Sequence, residues 1–384
     1  MQFYQQLESL FFKYKEVTLS HRYVTQNYID PLIEKHSRIF QIDQIGLSVN
    51  GMAIKSLKVG HGSTKILLWS QMHGNESTTT KSLFDLLNLL TESECDDILK
   101  NCTLFIVPIL NPDGAKAYTR HNANDIDLNR DAQNQSQPES IALKQLFIQC
   151  QPDYCFNLHG QRTIFSAGKS NNPATLSFLA PAQDEDCTIT ATRKRAMHVI
   201  SEIHDLMQEV IPNQIGIYDD AFNLNCVGDT FQHLNVPTIL FEAGHYTKDY
   251  SREEVRRFIF MSLVVALKEI ATNSTSGDNY EKYLNIPKNE KLFFDIIIRN
   301  TRVTKGVELI DIALQYEEQL IDEKVEFIPK IEKIENLESF YAHHEIDANK
   351  SLTSHPDFER LEVGVAIDFV KINNEKFSLK LTNP

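Results

Sequence analysis

The sequence predicts an α/β protein with a mixed central sheet covered by helices on both faces, followed by a small β-rich domain. Three observations lead there. Between residues 39 and 270, apolar runs of strand length alternate with segments whose apolar positions recur at helical spacing. Polar residues capable of chemistry stand at or just after the strand-like runs. Past a stretch of small polar residues, the pattern changes to short β-like runs separated by turn residues.

The chain begins with Phe3, Leu7, Leu10, Phe11 and Tyr14 at helical spacing, which predicts an amphipathic helix packed on the domain. Three extended runs follow: IFQIDQIGLSV, AIKSLKVG and KILLWSQMHG. The Asn50-Gly51 pair between the first two is a hairpin signal. In STTTKSLFDLLNLLTE, hydroxyl residues precede apolar positions at helical spacing, so His73 to Glu76 falls at a strand-to-helix junction. The strand CTLFIVPIL ends at the turn Asn111-Pro112-Asp113-Gly114. A helix from Glu139 to Gln149, a strand at YCFNLHG, a helix from Thr190 to Val210, a strand at TILFEAGH and a helix from Arg252 to Ile270 complete the alternation.

The composition shift over Ala271 to Tyr283 marks a boundary, giving a catalytic domain over 1–275 and an accessory domain of unassigned role over 284–384. In the latter, LFFDIIIRN, VELIDIAL, KVEFIPKIEKI, VGVAIDFVKI and FSLKL read as strands, and His343-His344 reads as part of a solvated loop.

A formal charge of -14 with scattered Lys and Arg argues against a nucleic-acid surface and against anionic membranes. The longest apolar stretch, Phe258 to Leu267, falls far short of the roughly 20 residues that cross a bilayer. Six cysteines without a C-x-x-C pair read as free thiols, and with no leader-like start they point to the cytoplasm.

One ordered set of polar residues carries candidate chemistry: His73, Glu76, Arg120, Asp127, Asn129, Arg130, His159 and Glu242. It supplies three metal ligands, two anion-binding cations and a spare carboxylate, a sufficient kit for metal-assisted hydrolysis of an amide near a carboxylate. Spacing alone does not single out His73. With 13 histidines and 52 acidic residues, chance gives roughly two His-x-x-acid pairs, and His73/Glu76 and His344/Asp347 are two. The junction setting is what favours His73 and Glu76, and a third ligand, His159, leaves a fourth position open for water.

In His73-x-x-Glu76, NPDG at 111–114, TRHNANDIDLNRD at 119–131, NLHG ending at Gly160 and FEAG around Glu242, the chain resembles the zinc carboxypeptidase family, the carboxypeptidase A-like metallopeptidases. The motifs keep the family order from about Ile39 to Ile270, and the C-terminal region lies outside the match. The resemblance implies one Zn2+ held by His73, Glu76 and His159, with Glu242 as general base and Arg120 steadying the oxyanion. It implies that Asn129 and Arg130 grip the substrate's terminal carboxylate, that Asp127 orients a ligand histidine, and that Tyr218 is the tyrosine of a mobile substrate loop. The implied activity is removal of C-terminal residues from peptides. The alternative is N-acyl amino acid hydrolysis, as in the more distantly similar succinylglutamate desuccinylase and aspartoacylase group, which also carries a C-terminal β-domain. A third reading is a non-catalytic zinc- or peptide-binding protein. The NPDG turn and the segment from Thr119 to Asn124 favour the peptidase.

Overall fold

The computed structural model describes residues 3–273, 276–303 and 308–381. Ser274 and Thr275 of the boundary stretch, and Val307 of one predicted strand, lie outside them.

In chain order the first part comprises α1 Phe3–Tyr14, α2 Gln26–His36, β1 Gln41–Leu47, β2 Ala53–Gly60, β3 Thr64–Trp69, α3 Thr78–Leu89, α4 Asp96–Asn101 and β4 Cys102–Val107. Then come α5 Pro112–Ala117, α6 Pro138–Cys150, β5 Tyr154–Gly160, β6 Phe165–Ala167, β7 Leu176–Leu179, α7 Ala191–Gln208, β8 Ile215–Ile217, α8 Val227–His233, β9 Thr238–Ala243 and α9 Glu253–Thr272. Eight strands form one mixed sheet in the order β1-β2-β4-β3-β5-β9-β7-β8. Its centre, β4-β3-β5-β9, is parallel, while β1, β2 and β7 join antiparallel. The expected hairpin is present, with Gly51 in the left-handed region at φ 80°.

Alternation along the central strands explains the helices on both faces. Ile66 and Leu68 of β3 join one core with α1, α3, α7 and α9, while Leu67 and Trp69 join a second core with α6 and α8. Strands buried on both sides need this double cover. Between α3 and α9 lies a fully buried ion pair: Arg256 Nε and Nη2 donate to the two Asp85 oxygens at 2.7 and 2.6 Å. Arg256 also donates to the carbonyls of Leu19 and Glu16, so the segment after α1 is tied to the same charge. No helix among the described residues is long and apolar enough to cross a membrane.

The remaining elements are α10 Tyr280–Tyr283, β10 Asn289–Lys291, β11 Phe293–Thr301, β12 Ile310–Ile321, β13 Lys324–Glu335, β14 Tyr341–Asp347, β15 Thr353–Ser354, β16 Phe369–Ile372 and β17 Glu375–Ser378. They form a four-stranded sheet, β13-β12-β11-β14, and a three-stranded one, β15-β16-β17, while β10 pairs back onto β6. The solvated loop expected at His343-His344 is instead strand β14, parallel to β11 at the sheet edge. Its exposed residues His344, Glu345 and Asp347 do not alternate regularly with buried ones, which hides the strand pattern. His343 stacks on Phe293 and donates from Nε2 to the Thr163 carbonyl at 2.8 Å, so it docks this sheet onto the first part.

Replacing Asp85 by Ala removes the one fully buried counter-ion of the Arg256 guanidinium and leaves it only the partly exposed Glu253 at 3.2 Å, and the expected loss is about 3–5 kcal/mol. Urea unfolding of Asp85→Ala against the parent protein measures it, and a midpoint unchanged from the parent would show the pair to be idle.

Candidate metal centre and cleft

The site is built at the carboxyl ends of the four central parallel strands. His159 and Glu242 lie on β5 and β9 and are direct register partners. His73 follows β3 on a loop that opens into α3, with Gln71 in the left-handed region at φ 42°. That loop rests on the NPDG turn. A β-carbon on Gly74 would lie 2.0 Å from the Gly114 carbonyl carbon, so only glycine permits the approach. Asn111 accepts from Gly114 N at 2.9 Å and caps α5, while its own N–H donates to the Gln71 carbonyl.

Three side chains converge. His73 Nδ1 is 2.8 Å from Glu76 Oε1, His159 Nδ1 is 2.9 Å from Glu76 Oε2, and the two Nδ1 atoms are 3.1 Å apart. Among the described residues this is the one group of three ligand-bearing side chains that could hold a metal ion. Its donors, two imidazole nitrogens and a carboxylate, suit zinc. His73 Nε2 donates to Asp127 Oδ1 at 3.0 Å, which leaves Nδ1 free as a lone-pair donor. The same Asp127 oxygen accepts from Asn129 N, and Oδ2 accepts from Arg120 Nε and Nη2 at 3.1 and 3.0 Å. Of the two histidines in the set, it is His73 that Asp127 contacts.

The electrostatics favour a cation. Burial pushes the Glu76 carboxyl up, but the two imidazoles outweigh it and hold Glu76 well below the usual carboxylate range. Glu242 has no such partner. Desolvation and the neighbouring Glu76 charge push it well above that range, and its Oε2 is enclosed without a hydrogen bond. Two carboxylates facing each other away from water need a positive charge between them to stay ionised.

His73, Glu76, Arg120, Asn129, Arg130, His159, Tyr218 and Glu242 all line one cavity of about 770 Å³. Asn129 is fixed by accepting from Val227 N, and Arg130 Nη1 reaches the Asn129 carbonyl and Cys226 Sγ. Tyr218 packs edge-on against Phe165, and burial together with the Glu242 charge raises its hydroxyl pKa. Of the acidic residues around that loop, Asp219 and Asp229 line the cavity, whereas Asp220 turns away to Arg193. Burial pushes Asp229 up to about 6.

Sequence reading missed Arg252 and Arg22. Arg252 donates to the carbonyls of Ala243 and Gln161 at 2.5 and 2.8 Å, clamping β9 and β5 just beyond Glu242 and His159. Arg22 lines the cavity, and its carbonyl accepts from Ser77, next to Glu76. Neither sits in a local pattern that marks it, because Arg22 pairs with Glu318 and Arg252 with backbone carbonyls that no sequence motif specifies. His245 is buried between Tyr250 and His343 with neither ring nitrogen bonded, outside the cavity lining.

One set of possible metal ligands thus stands at the carboxyl edge of the mixed sheet. Comparison with known proteins shows what the chain is similar to. A family profile described as zinc carboxypeptidase matches residues 25–140. Carboxypeptidase SOL1 of Arabidopsis thaliana is 33% identical over 113 residues, 27% of this chain and 23% of that protein. Carboxypeptidase B of Astacus astacus is 30% identical over 97 residues, 24% of this chain and 32% of that protein. The chain thus spans less than a third of the length of these relatives. The fold is shared with carboxypeptidase A from Helicoverpa armigera, at TM-score 0.52 and 14% identity over 70% of this chain and 80% of that one. It is shared also with a metallo-carboxypeptidase from Burkholderia cenocepacia, at TM-score 0.51 and 14% identity over 64% and 70%.

Asp127→Asn removes the carboxylate that fixes the His73 tautomer, and zinc affinity is expected to fall about 10- to 100-fold. Competition with a chromophoric chelator measures this, and unchanged affinity would mean that Asp127 does not orient the ligand.

Proposed function

We propose that the protein is a zinc-dependent metallocarboxypeptidase that hydrolyses the C-terminal amide bond of peptides, with one Zn2+ per chain. The observation that carries this reading is that the His73/Glu76/His159 set, a free carboxylate at Glu242 and a cationic pair at Arg120 and Arg130 line one cavity.

Bound at His73, Glu76 and His159, zinc supplies Lewis acidity to a water and to the scissile carbonyl. Glu242 then has a base's task. It takes one proton from the attacking water and delivers it to the leaving nitrogen, so that amide and water become carboxylate and amine. Arg120 reaches Glu76 and Asp127 at the rim of the set, and its guanidinium is available to the oxygen that gains charge. Arg130 offers a planar fork to the substrate's terminal carboxylate and Asn129 stands beside it, while Tyr218 closes the same pocket from the loop after β8.

The division into a catalytic domain, 1–275, and a β-rich domain, 284–384, is part of this proposal, as is a cytoplasmic site of action, which the six free cysteines support. N-acyl amino acids present the same amide and carboxylate, and the experiment below separates the two substrate classes.

Mass-spectrometric turnover is measured on zinc-loaded protein with peptides bearing free or amidated C-termini and with N-acyl amino acids. Trimming confined to free C-termini is expected. Glu242→Gln is expected to keep zinc and lose turnover by at least about 100-fold, and Arg130→Ala to lose the preference for free over amidated ends. Hydrolysis of N-acyl amino acids alone would replace this reading.

A further inference from the structure

Strand β12 pairs with β11 only from Ile310 to Leu314. From Gln315 to Ile321 it leaves the sheet and pairs with β13 alone, register partners running from Gln315–Lys330 to Ile321–Lys324. The result is a two-stranded ribbon that projects from the C-terminal sheet. Its tip turns at Asp322 and Glu323, both in the left-handed region at φ 50° and 61°, as a tight hairpin with the native twist requires. A bare two-stranded ribbon is marginal in water, so this one must be held by something else.

The catalytic part holds it. Side chains on β12 alternate, with Tyr316 and Glu318 half-buried and Glu317 and Gln319 exposed. Tyr316 and Phe327 pack edge-on against Tyr250, at centroid distances of 5.3 and 5.5 Å. At the ribbon's root the buried Asp295 accepts from Tyr250 Oη at 2.8 Å and Tyr316 N at 2.7 Å. Farther out, Glu318 takes both oxygens to Arg22 Nη2 at 2.9 and 3.0 Å and accepts from Tyr118 Oη at 2.5 Å. Tyr118 caps the NPDG helix, and Arg22 is bonded to Ser77 beside the ligand Glu76. The ribbon is therefore pinned to the two segments that carry the metal-binding loop.

So placed, Tyr316, Glu318, Phe327 and Lys330 form a wall of the same cavity that holds His73 and Glu242. At about 770 Å³ that cavity falls in the range of pockets that enclose a drug-sized ligand, far smaller than a long peptide. With the substrate's terminal carboxylate at Arg130, the chain on the amino side of the scissile bond has to leave along the walls that remain, and the ribbon occupies one of them.

We propose that the β12–β13 ribbon is the length gauge of the site, restricting substrates to short peptides, and that Glu318 is the specificity-determining residue that pins it. This rests on the carboxypeptidase reading. It gives the β-rich part a role in selection without a role in the chemistry.

The test is calorimetric binding to zinc-loaded Glu242→Gln protein, using a tripeptide and a decapeptide that end in the same three residues, each with a free or an amidated C-terminus. The free tripeptide is expected to bind at least about tenfold more tightly than the free decapeptide, and Glu318→Ala in the same background is expected to narrow that ratio. If Glu318→Ala does not fold, Tyr118→Phe, which removes one hydrogen bond from Glu318, serves instead. Equal affinity for the two lengths, with free ends still preferred to amidated ones, overturns the length gauge and leaves the carboxypeptidase reading standing. A length preference that neither variant narrows overturns the role of Glu318. No preference for free over amidated ends overturns the carboxypeptidase reading and the proposal built on it.

Discussion

The Gly74 backbone lies against the Gly114 backbone so closely that any β-carbon would fall on the Gly114 carbonyl carbon, and the metal-binding loop takes its shape from that contact. With the loop pressed onto the NPDG turn, His73 points Nδ1 at Glu76 and Nε2 at Asp127. The turn in turn positions the segment after it, since Thr119 N bonds to Gly114 and Asn75 N bonds to the Thr119 carbonyl. Arg120, Asp127 and Arg130 thus inherit their places from two glycines brought together by strands β3 and β4, which are adjacent and parallel. The convergence of the possible metal ligands at the carboxyl edge of a parallel sheet follows from that adjacency.

Charge is the second organising factor. The cleft gathers Glu76 and Glu242 where water is scarce, and imidazoles and arginines offset them from different directions. Arg252 does this at a distance while tying the ends of β5 and β9, so one buried cation serves both alignment and electrostatics. Removing a structural cation from such a place leaves carbonyls unpaired as well as a charge unbalanced.

How much of this is legible in the sequence depends on the range over which each feature is determined. Strand and helix periodicity is local, and the alternation from β1 to α9 reads directly, as does the junction that carries His73 and Glu76. The motif residues are legible because short loops bind them to their own neighbours: Asn111 caps its own turn and Asp127 caps its own segment. Helix α2 carries Pro31 in its interior, which disguises it. Strand β14 has exposed polar residues at His344, Glu345 and Asp347 without regular alternation, and reads as a loop. Arg22, Arg252 and Glu318 are invisible because their meaning lies in partners up to 296 residues away. For the same reason the C-terminal strands read as an appendage, although one of their hairpins walls the cleft.

The claim on which the rest stands is that His73, Glu76 and His159 hold one zinc ion. Diffraction data collected above and below the zinc absorption edge, from crystals of the zinc-loaded protein, test it most directly. The account predicts one anomalous peak per chain, bonded to His73 Nδ1, His159 Nδ1 and Glu76 and open on the side of Glu242. A peak coordinated by other residues, or none in a protein shown to be folded and exposed to zinc, would contradict it.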